Sequence, residues 1–149
     1  MQAPSLYSHF DSKNAIYDAM FEDAWSECLQ HMLAADVRRP RTLRAALRRY
    51  ALAFFDFAVS DLARHQLMNQ RTIPGFAPTP DAYTPAVAAR EGLRQRLADW
   101  GVERQQDIDL YVAIIGGLID SQLANEPGGQ RWRRLVPRAM DMYAQDLGL

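Results

Sequence analysis

The sequence is poor in cysteine, with Cys28 the one thiol among 149 residues. A single cysteine cannot form a disulfide within the chain, and no Cys-x-x-Cys pair or Cys/His cluster has the spacing of a zinc site. We therefore expect a fold that depends on neither disulfides nor a metal ion, and no bound cofactor. Free thiols are typical of reducing compartments, so the cysteine content favours a cytoplasmic location.

Long apolar runs and a dominant charge are also missing. The longest apolar stretch covers residues 112–119, far below the ~20 residues that a membrane-spanning helix requires, so we expect no contact with a membrane. The 17 basic and 18 acidic residues leave a net charge of -1. No field of the whole molecule therefore attracts nucleic acid, and any contact with DNA has to be local.

The sequence motifs of common enzyme classes are absent as well. His9, His31 and His65 lie far apart and never form His-Glu-x-x-His, and no Glu-x-x-His pair is available for a metal site in a helical bundle. The chain also has no glycine-rich phosphate loop, no Gly-x-Ser-x-Gly elbow and no Ser-x-x-Lys pair. The sequence therefore predicts that the protein is not an enzyme.

Helical periodicity runs through most of the chain. Apolar residues recur at steps of three and four, and strand-like alternation is nearly absent, which predicts an all-α fold. We expect a long helix from Ser12, its N-cap, to about residue 36, then helices over residues 43–60 and 61–71. Three prolines and a glycine within residues 73–80 exclude a helix there.

The C-terminal half predicts three further helices. Thr84 is expected to be the N-cap of a helix that has Pro85 at its first position and Gly101 as its stop. A very apolar helix is expected over residues 103–125. After a Pro-Gly-Gly interruption, a last helix is expected over residues 132–147.

The first residues carry the most specific motif, which reads SLYSHFDSK over residues 5–13. It resembles the recognition helix of the tetracycline-repressor (TetR) family of bacterial transcriptional regulators. The pattern of that family is a small residue, Leu, Tyr, any residue, His, Phe, two further residues and Lys. The motif covers about the first tenth of the chain. A long connecting helix, a helical ligand domain and a terminal helix pair would also fit a TetR-like all-α fold.

The resemblance implies DNA-facing roles at these positions. Tyr7 and Lys13 match residues that bind DNA phosphates, and His9 lies beside the positions that approach base edges in the major groove. Those base-facing positions are matched by Gln2, Ala3, Pro4 and Ser5. The alternative interpretation of the motif is a chance helix start that packs on the next helix.

The DNA-binding domain is expected to be incomplete in this chain. A helix-turn-helix needs a first helix across the DNA backbone, and no residue precedes Met1 to supply it. We therefore expect residues 1–24 to be the remnant of a DNA-binding domain and residues 25–149 to form the ligand-binding and dimerisation domain. With one lysine and about one turn of recognition helix, the chain alone is expected to bind operator DNA poorly.

The helix over residues 103–125 has apolar residues on both faces. One face carries Ile108, Tyr111, Val112, Ile115, Leu118 and Ile119, and the other carries Leu110, Ala113, Ile114 and Gly117. A helix that is apolar all round has to be covered all round. With the last helix this predicts a two-fold, four-helix homodimer interface, as in the resembled family, in which Gly116 and Gly117 let backbones approach. The alternative is a helix at the centre of a monomer's core.

The resemblance also implies a pocket for a small hydrophobic ligand among the long helices of each protomer. Aromatic and flexible apolar side chains suit such a pocket, although each of them also fits an ordinary core. The apolar candidates are Trp25, Leu29, Tyr50, Phe54, Phe57, Met68, Phe76, Tyr83 and Tyr111.

Two carboxylates on apolar helices need an explanation. Asp120 is a candidate ligand anchor, or else the partner of Arg131 or Arg134 in a salt bridge, which is the interpretation we favour because an unpaired buried charge is costly. Asp56 lies opposite the apolar stripe of its helix and is expected to face solvent.

Together these features predict a ligand-responsive transcriptional regulator. It would be a repressor that binds operator DNA as a homodimer when full length and is released by a small hydrophobic ligand. Ligand binding would move the long connecting helix, and with it Tyr7 and Lys13, so that the spacing of the two recognition helices changes. The alternative is a helical dimerisation or small-molecule-binding module without DNA activity.

Overall fold

The computed structural model describes residues 12–36 and 40–149 of the chain. All regular structure in these residues is helical, as the periodicity predicts. The six α-helices are α1 (Lys13–Asp36), α2 (Leu43–Val59), α3 (Leu62–Asn69), α4 (Thr84–Asp99), α5 (Gln105–Asn125) and α6 (Val136–Asp146). A short 3-10 helix over Arg133–Leu135 precedes α6. The short helix predicted within the first residues lies outside the described residues.

The starts of the first three helices are fixed by capping side chains. The hydroxyl of Ser12 accepts a hydrogen bond from the backbone N–H of Ala15 at 3.2 Å, which confirms Ser12 as the N-cap of α1. Thr42 and Asp61 cap α2 and α3 in the same way. Each cap satisfies a backbone donor that the first turn of a helix leaves unpaired. The predicted bounds of these helices agree with the structure to within two residues.

The prediction that Thr84 caps α4 is wrong. Thr84 is the first residue of the helix, and Tyr83 before it has helical torsions and no capping side chain. The N–H of Thr84 donates to the carbonyl of Asp81 at 3.1 Å, so a turn continues directly into the helix and needs no extended cap residue. Gly101 follows the end of α4 as predicted, with a φ of 86° that glycine adopts without strain.

The last two helices are shorter than predicted. α5 begins at Gln105 rather than at residue 103, and α6 begins at Val136 rather than at residue 132. Pro137 explains the second difference, because proline lacks an N–H and clashes with a preceding helical turn, which confines it to the start of a helix.

Three hydrophobic clusters hold the helices together. The first joins α2, α5 and α6, and its fully buried members include Leu47, Phe55, Ile115, Ile119 and Met140. The second joins α1 to α2 and α3 through Ala24, Cys28, Met32, Phe57 and Met68. The third and smallest joins α1 to α4 and the residues before it through Phe21, Ala82 and Ala86. α1 also packs along α4. The long first helix therefore rests on α2, α3 and α4.

Two bidentate ion pairs tie α2 to the C-terminal segment. Arg133 donates to both carboxylate oxygens of Asp56 at 2.6 and 2.7 Å. Arg48 donates to both carboxylate oxygens of Asp141 at 2.6 and 2.5 Å. The Asp56 side chain is 43% exposed, as expected of a residue opposite the apolar stripe, but it is also held in an ion pair that the sequence did not predict. Its partner lies 77 residues away in the sequence, and only the folded chain brings the two together.

The two faces of α5 differ in burial. The predicted core face is buried at Ile108, Tyr111, Ile115 and Ile119. On the same face Leu118 is half-buried, and Val112 is 51% exposed because it borders a cavity. The other face is open to solvent at Leu110, Ala113 and Gly117, with Ile114 half-buried. Among the described helices, none combines the length and apolar character needed to cross a bilayer.

Candidate functional site

A cavity of about 650 Å³ is bordered by α1, α2, α3, α4 and α5. This volume falls within the ~300–1,000 Å³ typical of small-molecule sites. Its wall is mostly apolar and includes Trp25, Cys28, Met32, Tyr50, Phe54, Leu93, Ile108, Tyr111, Val112, Ile115 and Ile119. α4 packs mainly on α1, which leaves the cavity between α4 and α5.

The structure brings five of the ten predicted ligand residues to this cavity. They are Trp25, Tyr50, Phe54, Tyr111 and Asp120. Four of them are aromatic, and they come from three different helices, so the cavity wall presents aromatic rings from α1, α2 and α5.

The other five predicted ligand residues do not line the cavity. Phe57 and Met68 are core residues of the second cluster. Phe76 and Tyr83 place their rings against aromatic rings of α1, with centroid distances of 5.5 and 5.0 Å. Leu29 is half-buried on α1 and outside the lining. Helical spacing identifies the apolar face of each segment, but it does not tell which part of that face a neighbouring helix covers.

Polar side chains from α3 and α5 meet in one part of the cavity wall. The Nε2 atom of His65 lies 3.1 Å from Oδ1 of Asp120, and the side-chain amide of Gln70 donates to the same oxygen at 3.4 Å. The His65 side chain is 5% exposed, whereas that of Asp120 is 58% exposed. The carboxylate is therefore held from the protein side by a buried imidazole and remains accessible on its other side.

The favoured salt bridge from Asp120 to Arg131 or Arg134 is absent in the part of the chain that the structure describes. Gln122 explains why, since its side-chain oxygen accepts the backbone N–H of Trp132 at 2.9 Å and so marks the side of α5 that faces the following turn. Two residues along a helix differ in direction by about 200°. Asp120 therefore faces away from that turn and its arginines.

Both ring nitrogens of His65 have hydrogen-bond partners. The side-chain nitrogen of Asn69 lies 3.2 Å from Nδ1 of His65 and 3.3 Å from the His65 carbonyl oxygen. The Asn69 atom at this position has to be the amide nitrogen rather than the amide oxygen, because the carbonyl oxygen of His65 needs a hydrogen-bond donor. Nδ1 then accepts from Asn69, and Nε2 carries the proton that is donated to Asp120.

Burial keeps the titratable groups of the apolar wall uncharged. Desolvation raises the pKa of the Cys28 thiol from 9.0 to about 12, although Arg64 opposes the shift. Desolvation likewise raises the pKa of Tyr50 to about 12 and moves the pKa of Tyr111 well above its ordinary value. A charged form of any of these groups would lose its hydration without an opposite charge in contact. At neutral pH they present a neutral surface.

Two buried donors in this wall have no hydrogen-bond partner among the described residues. They are the indole N–H of Trp25 and the hydroxyl of Tyr111. Leaving a buried polar group unpaired costs about 1–3 kcal/mol. A ligand acceptor that reached either atom would recover part of this cost.

The other charged residues of the cavity lie on α4 and near the start of α5. Arg94 donates to Glu91 at 3.1 Å, and the side-chain amide of Gln105 donates to Asp109 at 2.8 Å. Arg90 is exposed. Asp109 and Asp120 are separated by about 16 Å along the axis of α5. The carboxylate beside His65 is therefore remote from the one at the beginning of the helix.

The predicted DNA-facing residues fall mainly outside the described part of the chain. Those residues are Gln2, Ala3, Pro4, Ser5, Tyr7 and His9. Lys13 is described and is the exposed first residue of α1. Trp25, which borders the cavity, follows on the same helix at a rise of about 18 Å. One continuous helix thus connects Lys13 with the cavity.

Cys28 and His65 are cavity residues that the sequence analysis missed. Cys28 lies three residues after Trp25, and this spacing places both side chains on one face of α1, so a usable signal was present. His65 gave no comparable signal. Its partner Asp120 lies 55 residues away, and only the arrangement of α3 beside α5 brings the two side chains together.

Comparison with known proteins gives no match to a family model, a curated protein or a solved structure. Within residues 12–36 and 40–149, no group of three or more His, Cys, Asp or Glu side chains is arranged to hold a metal ion. What the cavity offers chemically is an apolar, partly aromatic wall with a histidine-bonded carboxylate.

Proposed function

We propose that this chain is the ligand-binding and dimerisation region of a ligand-responsive transcriptional regulator. The regulator is a repressor that binds operator DNA as a homodimer and leaves it when a small hydrophobic ligand enters the cavity. The observation that carries the proposal is the cavity of about 650 Å³. It is bordered by the helix that continues directly from the TetR-like motif of residues 5–13.

α1 is the proposed connection between ligand and DNA. Trp25 and Cys28 border the cavity from the middle of α1, and Lys13 begins the same helix. A ligand that displaces the middle of this helix also displaces its N-terminus. The ligand changes DNA affinity only by as much as its own affinity differs between the two positions of α1.

The loop over residues 73–80 supports this coupling, because it is bonded to the N-terminal half of α1. The backbone N–H and the hydroxyl of Thr79 donate to the two carboxylate oxygens of Asp18 at 2.9 and 2.6 Å. The rings of Phe76 and Tyr17 are in edge contact at 5.5 Å. The loop leads into α4, which borders the cavity, so both ends of this connection are in contact with α1.

The outward faces of α5 and α6 support the homodimer. Leu110 on α5 is 43% exposed and Met142 on α6 is 61% exposed. A Cβ built on the exposed Gly117 meets no atom within 4 Å, which leaves room for a second backbone. Two copies that pair these faces would form a four-helix interface with two-fold symmetry.

The proposal is tested on the full-length product of the gene. Light scattering is expected to give twice the mass of the monomer, which is 16.9 kDa for the sequence described here. Selection from random duplexes is expected to enrich one operator, and a hydrophobic ligand is expected to displace it in a mobility-shift titration at low salt.

Each negative outcome of this test has a distinct meaning. A dimer that binds the ligand and enriches no DNA sequence would identify the alternative function, a helical dimerisation or small-molecule-binding module without DNA activity. A protein that is monomeric at all concentrations and enriches no DNA would contradict the regulator.

A further inference from the structure

We propose that the ligand taken up by the cavity carries a cationic group, an ammonium or an amidinium, which binds Asp120 while an aromatic body lies against Trp25, Tyr50 and Phe54. This inference rests on the proposed function, because it names the chemical class of the molecule that the regulator senses. It is carried by a cavity carboxylate that has no cation beside it.

One oxygen of the Asp120 carboxylate is hydrogen-bonded to the protein and the other is open. Oδ1 accepts the hydrogen bonds from His65 and Gln70, at 3.1 and 3.4 Å. Oδ2 has no partner among the described residues, and the side chain is 58% exposed. A carboxylate with one bonded and one open oxygen offers a charge-assisted acceptor to a donor that enters the cavity.

No arginine or lysine side chain among the described residues forms an ion pair with Asp120. Both ring nitrogens of His65 are within hydrogen-bond distance of a partner, Nδ1 of Asn69 and Nε2 of Asp120. Arg94 is bonded to Glu91, and neither Arg94 nor Arg90 forms an ion pair with Asp120 in the described structure. A ligand cation would supply the opposite charge that the protein lacks at this point.

The aromatic part of the cavity wall also suits a cation. Trp25, Tyr50 and Phe54 present aromatic rings to the cavity, and aromatic faces attract cations as well as flat apolar groups. The thiol of Cys28 and the hydroxyl of Tyr50 stay protonated because burial raises their pKa values to about 12. An anionic ligand would meet the open carboxylate of Asp120, and the arginines of the lining, Arg90 and Arg94, are at exposed positions on α4.

The experiment compares three probes that share a naphthyl body and differ in charge. They are naphthylmethylammonium, its uncharged isostere ethylnaphthalene, in which a methyl group replaces the ammonium group, and the anion naphthylacetate. Calorimetric titration of the full-length protein is expected to rank them in that order, with the cation bound about tenfold more tightly than its isostere.

The Asp120→Asn variant tests whether the preference for the cation arises at Asp120. The substitution removes the charge but keeps an oxygen that accepts the His65 hydrogen bond, so the fold is expected to persist, as circular dichroism will check. The affinity for the cation is expected to fall about tenfold, and the affinity for the isostere is expected not to change. Asp23→Asn is the matched control, because Asp23 is exposed on α1 and outside the cavity. It is expected to leave all three affinities unchanged.

The inference is overturned if the wild-type protein binds the isostere or the anion as tightly as the cation, or binds none of the three. It is also overturned if Asp120→Asn keeps the preference for the cation. An equal loss in Asp23→Asn would show an effect of net charge rather than of this site, and would likewise contradict it. The proposed function is decided separately, by the mass in solution and the DNA selection.

Discussion

Two adjacent glycines in α5 face different surroundings, and their replacement tests the cavity and the interface independently. Gly116 borders the cavity, whereas Gly117 is exposed on the outward face. A Cβ added to either glycine meets no atom within 4 Å. Alanine is more stable than glycine inside a helix by about 1 kcal/mol. Gly116→Ala is therefore expected to raise the free energy of unfolding by about 1 kcal/mol, which corresponds to roughly 2–4 °C in Tm.

A leucine at each position separates the two proposed roles. Gly116→Leu places an isobutyl group in the cavity and is expected to weaken binding of the naphthyl cation by at least about tenfold, with the dimer intact. Gly117→Leu places the same group in the proposed interface, where overpacking costs about 1–3 kcal/mol for each copy. The dissociation constant of the dimer is therefore expected to rise by at least about tenfold, with ligand binding intact.

Three measurements check this pair of variants. Thermal unfolding measures the stability, sedimentation equilibrium measures the dissociation constant of the dimer, and calorimetry measures the affinity for the naphthyl cation. Wild-type ligand affinity in Gly116→Leu would refute the assignment of the cavity. An equally tight dimer in Gly117→Leu would refute the interface, and loss of both functions in one variant would refute their separation.

Two further predictions concern buried groups. Gln122→Ala is expected to lower the free energy of unfolding by about 1–3 kcal/mol, because the backbone N–H of Trp132 loses its 2.9 Å acceptor; an unchanged urea midpoint would argue against this. Stability is also expected to fall as the pH rises above 9.0, since the unfolded Cys28 thiol ionises there while the folded one, with a pKa of about 12, keeps its proton. The loss from Cys28 is about 1 kcal/mol at pH 10 and adds to the losses from the buried Tyr50 and Tyr111, whose pKa values are also raised, so Cys28→Ala is expected to lose less stability than the wild type, and equal losses in the two proteins would contradict the assignment.

Local signals in the sequence account for most of the helix bounds. Ser12 and the residues before α2 and α3 cap their helices as polar side chains do in many proteins. The start of α6 was predicted four residues too early, although Pro137 could have located it because proline cannot lie in the interior of a helix. The start of α4 was not predictable in this way, because Tyr83 has helical torsions that belong to a preceding turn rather than to a cap.

The cavity was predictable only in part, for a physical reason that neighbouring residues illustrate. Phe54 and Phe57 lie on the same apolar side of α2, yet the first borders the cavity and the second is buried under α1 and α3. Helical periodicity shows that one face of a helix is apolar, but it does not show which neighbouring helix covers that face. The ion pair of Asp56 with Arg133 and the hydrogen bond of His65 depend likewise on partners that are distant in the sequence.

The central claim is that filling the cavity controls the affinity for DNA. The test is a titration of the selected operator with the full-length protein, followed by fluorescence anisotropy. The titration is carried out once without ligand and once with a saturating amount of the naphthyl probe that binds most tightly. The account predicts an operator affinity at least about tenfold weaker with the probe, and no such change in Gly116→Leu. The same operator affinity with and without the probe in the wild-type protein would contradict it.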